Sequence, residues 1–142
     1  MILKIIAIGI LSTLAMTAFS YALSILTKNK FEEPQLLNEL IGRLPKVQIT
    51  LPREHVLGWL LHVLVGIFFV GIYAILYHYN IVTRSILSGS IFGFAAGLFG
   101  VLIWAISLSI HPNPPVLNRL AFYLQLVPAH VIFGITMILL YW

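Results

Sequence analysis

The run HVLGWLLHVLVGIFFVGIYAILY, residues 55–77, contains no charged side chain and no proline. A helix needs about 20 apolar residues to cross the hydrocarbon core of a bilayer, and this run supplies them without interruption. In water such a segment would have to be buried on every side, and the rest of the chain has little with which to bury it. The 142 residues are 61% hydrophobic and only 8% charged. Too few ionic groups remain to cover a soluble surface, so lipid is the expected solvent.

Working outward, three further runs have the same character. The spans are expected at about 2–27, 55–79, 84–110 and 115–141, with a polar linker at 28–54, all in a single integral membrane domain. The fold class that follows is all-α, a four-helix transmembrane bundle. Thr83 is the expected N-cap of the third span, and His111-Pro112-Asn113-Pro114-Pro115 the entry to the fourth. Short connections make the second and third spans, and the third and fourth, antiparallel neighbours. Lys4 followed by an apolar run resembles a signal peptide, but the stretch is too long and reads as the first span.

In the linker, Pro34 suits a first helical turn, and Leu36, Leu37, Leu40, Ile41 and Leu44 recur at helical spacing. That describes a short amphipathic helix, lying on the membrane surface or closing the end of the bundle as a lid. Pro45 and Pro52 bracket Val47, Ile49 and Leu51, which read as extended chain. Lys28, Lys30, Arg43, Lys46, Arg53 and Arg119 fall on the linker side, and only Lys4 and Arg84 on the other. The positive-inside rule then places the linker in the cytoplasm. Tyr73, Tyr77, Tyr79, Tyr141 and Trp142 are expected as an outer aromatic belt, with Trp59 and Tyr123 at the inner interface.

The second and fourth spans share a pattern. His62-Val63-Leu64-Val65-Gly66-Ile67 is matched by His130-Val131-Ile132-Phe133-Gly134-Ile135, and Tyr73 and Tyr141 each follow their histidine by eleven residues. Gly9, Thr13, Ala15, Thr17 and Phe19 align with Gly89, Gly93, Ala95, Gly97 and Phe99. Two duplicated helical hairpins are the expectation, related by an axis along the membrane normal. Gly89, Gly93 and Gly97 form a small-xxx-small face for helix packing, as do Gly66 and Gly134 at single positions. Thr13, Thr17, Ser20, Ser24 and Thr27 form one hydroxyl stripe, which can line a polar path or hydrogen-bond to neighbouring helices.

No catalytic signature is present. Cysteine is absent, which excludes disulfides, thiolate metal sites and cysteine nucleophiles, and no glycine loop or paired intramembrane carboxylate suggests an enzyme. The formal charge of +4 is spread too thinly for a nucleic-acid footprint. The histidines stand out. His62 lies roughly 12 Å into the second span from the linker side, at 1.5 Å per residue, and His130 a little deeper into the fourth. His55 and His111 lie on the same side; His78 alone lies on the other. A polar residue at membrane depth is a functional candidate. Three readings compete. His62 and His130 bind haem, or a metal ion with His55 or His111; they relay protons or hold an anionic headgroup with Arg53; or each imidazole is satisfied by a hydroxyl or by the carbonyl of Leu124 that Pro128 frees.

Gly58-Trp59-Leu60-Leu61-His62 with Gly66 and Tyr73, the glycine-rich third span and the closing His130-x-x-x-Gly134 together resemble small four-helix bacterial membrane proteins of no assigned function. The resemblance implies a four-helix fold in a bacterial inner membrane and carries no activity. The leading expectation is a non-catalytic accessory or structural subunit, in contact with membrane lipids and with other membrane subunits or itself. The alternatives are a haem- or metal-binding protein using His62 and His130, and an oligomeric small transporter or channel.

Overall fold

The computed structural model describes residues 2–46 and 51–141. Five helices follow in order: α1 (Ile2–Thr27), α2 (Glu33–Gly42), α3 (Val56–His78), α4 (Ile86–Ile110) and α5 (Arg119–Leu140). No strand occurs among the described residues. The four helices other than α2 are long and apolar enough to cross a membrane. Of the segment expected as extended chain, Val47 and Ile49 lie outside the described residues, as does Trp142.

Local chemistry sets the helix ends. Lys28 and Asn80 adopt φ of 58° and 57°, and close α1 and α3 in the left-handed region. The cap of α4 is Ser85 and not Thr83: its hydroxyl accepts from the backbone N–H of Ser88 at 3.1 Å, while the Thr83 carbonyl accepts from the Tyr73 hydroxyl. Helix α5 begins at Arg119, later than the expected 115. Pro114 and Pro115 bias the chain before them away from helix, and the Asn118 side chain supplies the cap by accepting from Ala121 N–H.

Backbone approach at glycine decides which helices pair. A Cβ added at Gly66 would stand 1.8 Å from Thr13 Oγ1 and 3.3 Å from the Gly9 carbonyl oxygen, so α3 is locked against α1. A Cβ at Gly134 would stand 2.0 Å from the Gly89 carbonyl oxygen, and one at Gly93 2.2 Å from that of His130, which locks α4 against α5. Helix α1 also packs along α5. The spatial order is therefore α4, α5, α1, α3.

The expectation that α3 and α4 are close neighbours is corrected by this order. Gly66 of α3 faces α1, and Gly89, Gly93 and Gly97 of α4 face α5, so these close-packing surfaces are not turned to each other. They meet through long aromatic side chains: Phe69 lies edge-on to Phe92 and Phe99 at 6.2 and 6.3 Å, and Tyr73 to Phe92 at 5.1 Å. Tyr73 is thus a core residue and not part of an aromatic belt; it is fully buried and donates to the Thr83 carbonyl. Tyr141 is also buried, and Arg84 lies over the rings of Tyr77 and Tyr141 at 4.2 and 4.7 Å.

Of the two placements open to α2, the structure has the lid. Leu36 is fully buried in a cluster with Phe31, Phe122 and Leu126 at the linker end of the bundle. Asn38 pins α2 to the start of α3. Its amide donates to the carbonyls of Arg53 and His55, and its oxygen accepts from Gly58 N–H at 2.8 Å. Around the rim, Arg53 pairs with Glu32 at 3.1 Å and Glu39 at 3.0 Å, and Arg43 bonds both Glu39 and the Pro114 carbonyl.

Candidate functional site

A cavity of about 360 Å³ lies between α3 and α4, backed by α1 and α5 and closed below by α2. Its walls are largely apolar and include Phe69, Phe99, Trp104 and Phe133 on three helices. Val65 and Ile103 line it from α3 and α4 and are each about half exposed on the outer surface, so it opens sideways where lipid would lie. The polar side chains in it are few: Thr13, His62, His130, Ser107, Glu33 and the indole of Trp104.

His62 and His130 thus share one cavity. Thr17 Oγ1 lies 3.0 Å from His62 Nε2, and its shorter contact, 2.7 Å, runs to the Thr13 carbonyl. The single hydroxyl proton goes to that carbonyl, so the hydroxyl oxygen accepts from the imidazole Nε2–H. His130 Nδ1–H donates to the Leu126 carbonyl at 2.8 Å, one turn earlier in α5. Leu126 is the carbonyl used, and not Leu124, which Pro128 was expected to offer. Each ring is held through one nitrogen, as the satisfied-histidine reading expects, yet each retains a second nitrogen.

The other histidines do not join them. His55 is the N-cap of α3, where Nδ1 accepts from Leu57 N–H at 3.1 Å. His111 ends α4; its Nε2–H donates to the Leu40 carbonyl and its Nδ1 accepts from Asn113 N–H. Both are held in backbone roles, so the four-histidine metal set is not assembled. Among the described residues no three histidine or carboxylate side chains gather as metal ligands. Among the described residues, the nitrogens of His62 and His130 left without a protein partner are Nδ1 of His62 and Nε2 of His130. Arg53 is committed to glutamates, which removes it from an anion site with the histidines.

Sequence reasoning missed two residues of the site, Glu33 and Gln125. Glu33 is buried at the floor. Its Oε1 accepts from Ser20 at 2.7 Å and from the Gln125 amide at 3.1 Å, while Oε2 has no hydrogen-bond partner among the described residues. Burial is the largest influence on it and raises its pKa from 4.5 to about 7, against the opposing effect of those two hydrogen bonds. The signal was present: Glu33, Leu36, Leu37 and Leu40 share one helical face, so this carboxyl heads an apolar stripe. Gln125 was likewise an isolated polar residue within an apolar run.

The hydroxyl stripe serves these contacts. Thr13 and Thr17 bond back to the carbonyls one turn earlier, Ser20 reaches Glu33 and Gln125, and Ser24 accepts from Phe31 N–H. No protein family, curated protein or solved structure matches this chain. The resemblance to small bacterial membrane proteins therefore rests on its own motif and assigns no family.

Proposed function

We propose that this chain is a membrane-embedded binding protein that takes a small apolar molecule from the lipid phase into the cavity between α3 and α4. One observation carries the reading: a sideways-open, largely apolar cavity has its few polar side chains grouped within it. Binding sites for small molecules have this composition, an apolar body with a small number of placed polar groups. The polar groups are the paired histidines and the buried carboxyl, which a purely structural bundle has no need to bring together.

The subunit reading drew on the glycine faces. Gly9, Gly66, Gly89, Gly93, Gly97 and Gly134 all press against other helices of the same chain, so they are not available to a partner. Duplication belongs to the proposal too. Gly66 meets Gly9 and Thr13 in the first hairpin as Gly134 meets Gly89 and Gly93 in the second, which are the positions paired by the sequence alignment. The cavity then lies between two related hairpins with one histidine from each, and two-fold related repeats commonly meet at a binding site. A bacterial inner membrane with the α2 side in the cytoplasm is the setting we propose, from the resemblance and from the excess of basic residues on that side.

The test is extraction. Protein purified in mild detergent and extracted with organic solvent should yield a lipophilic small molecule near one per chain. Gly100→Phe should abolish it, because Gly100 lies in the wall and a phenyl ring there would fill the space. Gly71→Phe, at a position with nothing within 4 Å, should leave it unchanged. A protein that releases nothing, and whose Trp104 fluorescence a naphthalene probe does not alter, is not a binding protein of this kind.

A further inference from the structure

We infer that the molecule held in this cavity carries hydroxyl groups on an aromatic ring, and that the site prefers the hydroxyl form of such a ring to its carbonyl form. This rests on the binding role proposed above and adds the chemistry of the head group.

The argument follows the protons. Among the described residues no carboxylate hydrogen-bonds to either imidazole, and a buried imidazolium without a counter-charge is strongly disfavoured, so each ring carries one proton. In His62 that proton is on Nε2, engaged with Thr17, which leaves a lone pair on Nδ1. In His130 it is on Nδ1, donated to the Leu126 carbonyl, which leaves a lone pair on Nε2. That nitrogen lies 3.4 Å from where a Cβ of Gly100 would stand, in the cavity wall. Thr13 gives its hydroxyl proton to the Gly9 carbonyl at 2.7 Å, so its oxygen too can only accept. The three polar side chains whose protons are already committed therefore all present acceptors. The Ser107 hydroxyl, the protonated Glu33 carboxyl and the Trp104 indole N–H stand outside this acceptor set, on α4 and at the cavity floor, and can donate.

At the two imidazoles and Thr13, a ligand carbonyl oxygen would bring lone pair against lone pair. A hydroxyl in the same place forms an O–H···N bond with its proton pointing into the wall. Acceptors on two different helices, α3 and α5, suit a ring bearing more than one hydroxyl. Phe69, Phe99, Trp104 and Phe133 provide faces and edges for a flat ring. The sideways opening leaves an apolar tail in the lipid. The fitting class is a hydroquinone-type ring with an aliphatic tail, bound as such without any chemical step.

Three probes of one skeleton test this: a decyl-substituted hydroquinone, the quinone of the same ring, and decylbenzene. Each is titrated calorimetrically, under argon, into the full chain in detergent. One additional hydrogen bond of ordinary strength corresponds to about tenfold in affinity. The hydroquinone should bind about tenfold or more tightly than the quinone, with decylbenzene also weaker than the hydroquinone. His130→Phe, and separately His62→Phe, should reduce the preference while retaining quinone binding; either variant alone is sufficient if the other fails to fold. Equal affinities, or a preference for the quinone, overturn the head-group inference but leave the binding role standing. If none of the three binds, or if all bind Gly100→Phe as they bind the unchanged protein, the cavity itself is not a binding site and both conclusions fall.

Discussion

Glu33 shows at the scale of one residue how position rewrites chemistry. On an exposed loop it would be an ordinary carboxylate. Buried at the cavity floor, it holds its proton up to about pH 7. Since the folded state raises its pKa above the unfolded value of 4.5, its proton favours folding. Its contribution to stability is greatest below about pH 4.5, declines as pH rises toward 7, and is flat above that, a loss of about 3 kcal/mol at 1.36 kcal/mol per unit. The thermal midpoint in detergent should therefore be higher at about pH 5 than at about pH 8. Glu33→Gln, which keeps an acceptor for Ser20 and Gln125, should flatten that difference. Asn38 is a second such position. Asn38→Ala leaves Gly58 N–H and two carbonyls without their partner, and should destabilise the chain by roughly 2–4 kcal/mol. Hydrogen exchange should speed up in the first turn of α3.

Between elements, backbone contact at glycine does the sorting. In lipid no hydrophobic drive brings helices together, so close packing at small residues has to do so. The α4–α5 seam is the tightest expression of this, because Gly134 and Gly89 each face the other's carbonyl oxygen. Gly134→Leu would force the seam apart and should destabilise by about 3 kcal/mol or more, measured by unfolding in detergent. Gly71→Ala, in the same type of helix but facing open space, should be neutral or slightly stabilising, as expected from helix propensity. The short linker helix follows a different rule. Its hydrogen bonds and ion pairs run to the start of α3, to the α4–α5 connection and, through Glu33, to α1 and α5, so it is fixed over the bundle end.

For the molecule as a whole, the consequential feature is the gap between α3 and α4. The two consecutive helices are joined by a short turn, yet each is committed to a different partner. The cavity is a by-product of that division, and it opens at the outer surface between them, the face that our proposal puts against lipid. A nitroxide attached at Val65→Cys or Ile103→Cys in the reconstituted protein should collide readily with oxygen and be shielded from a water-soluble nickel chelate. The chain has no native cysteine to interfere. Accessibility to the chelate at both positions would mean that the opening faces water.

Composition and the length of the apolar runs determined the all-helical class and the four helices long and apolar enough to cross a membrane, because those follow from backbone hydrogen bonding and run length and need no knowledge of neighbours. The glycine positions and the matched histidines were also legible, since spacing along one helix defines a face. What only the tertiary structure decided is which face meets which. The order of helices, the inward turn of Tyr73, the lid role of α2 and the meeting of Glu33 with Ser20 and Gln125 all join residues distant in sequence. Such contacts depend on which close approach wins among several of similar energy, and no local pattern encodes that choice.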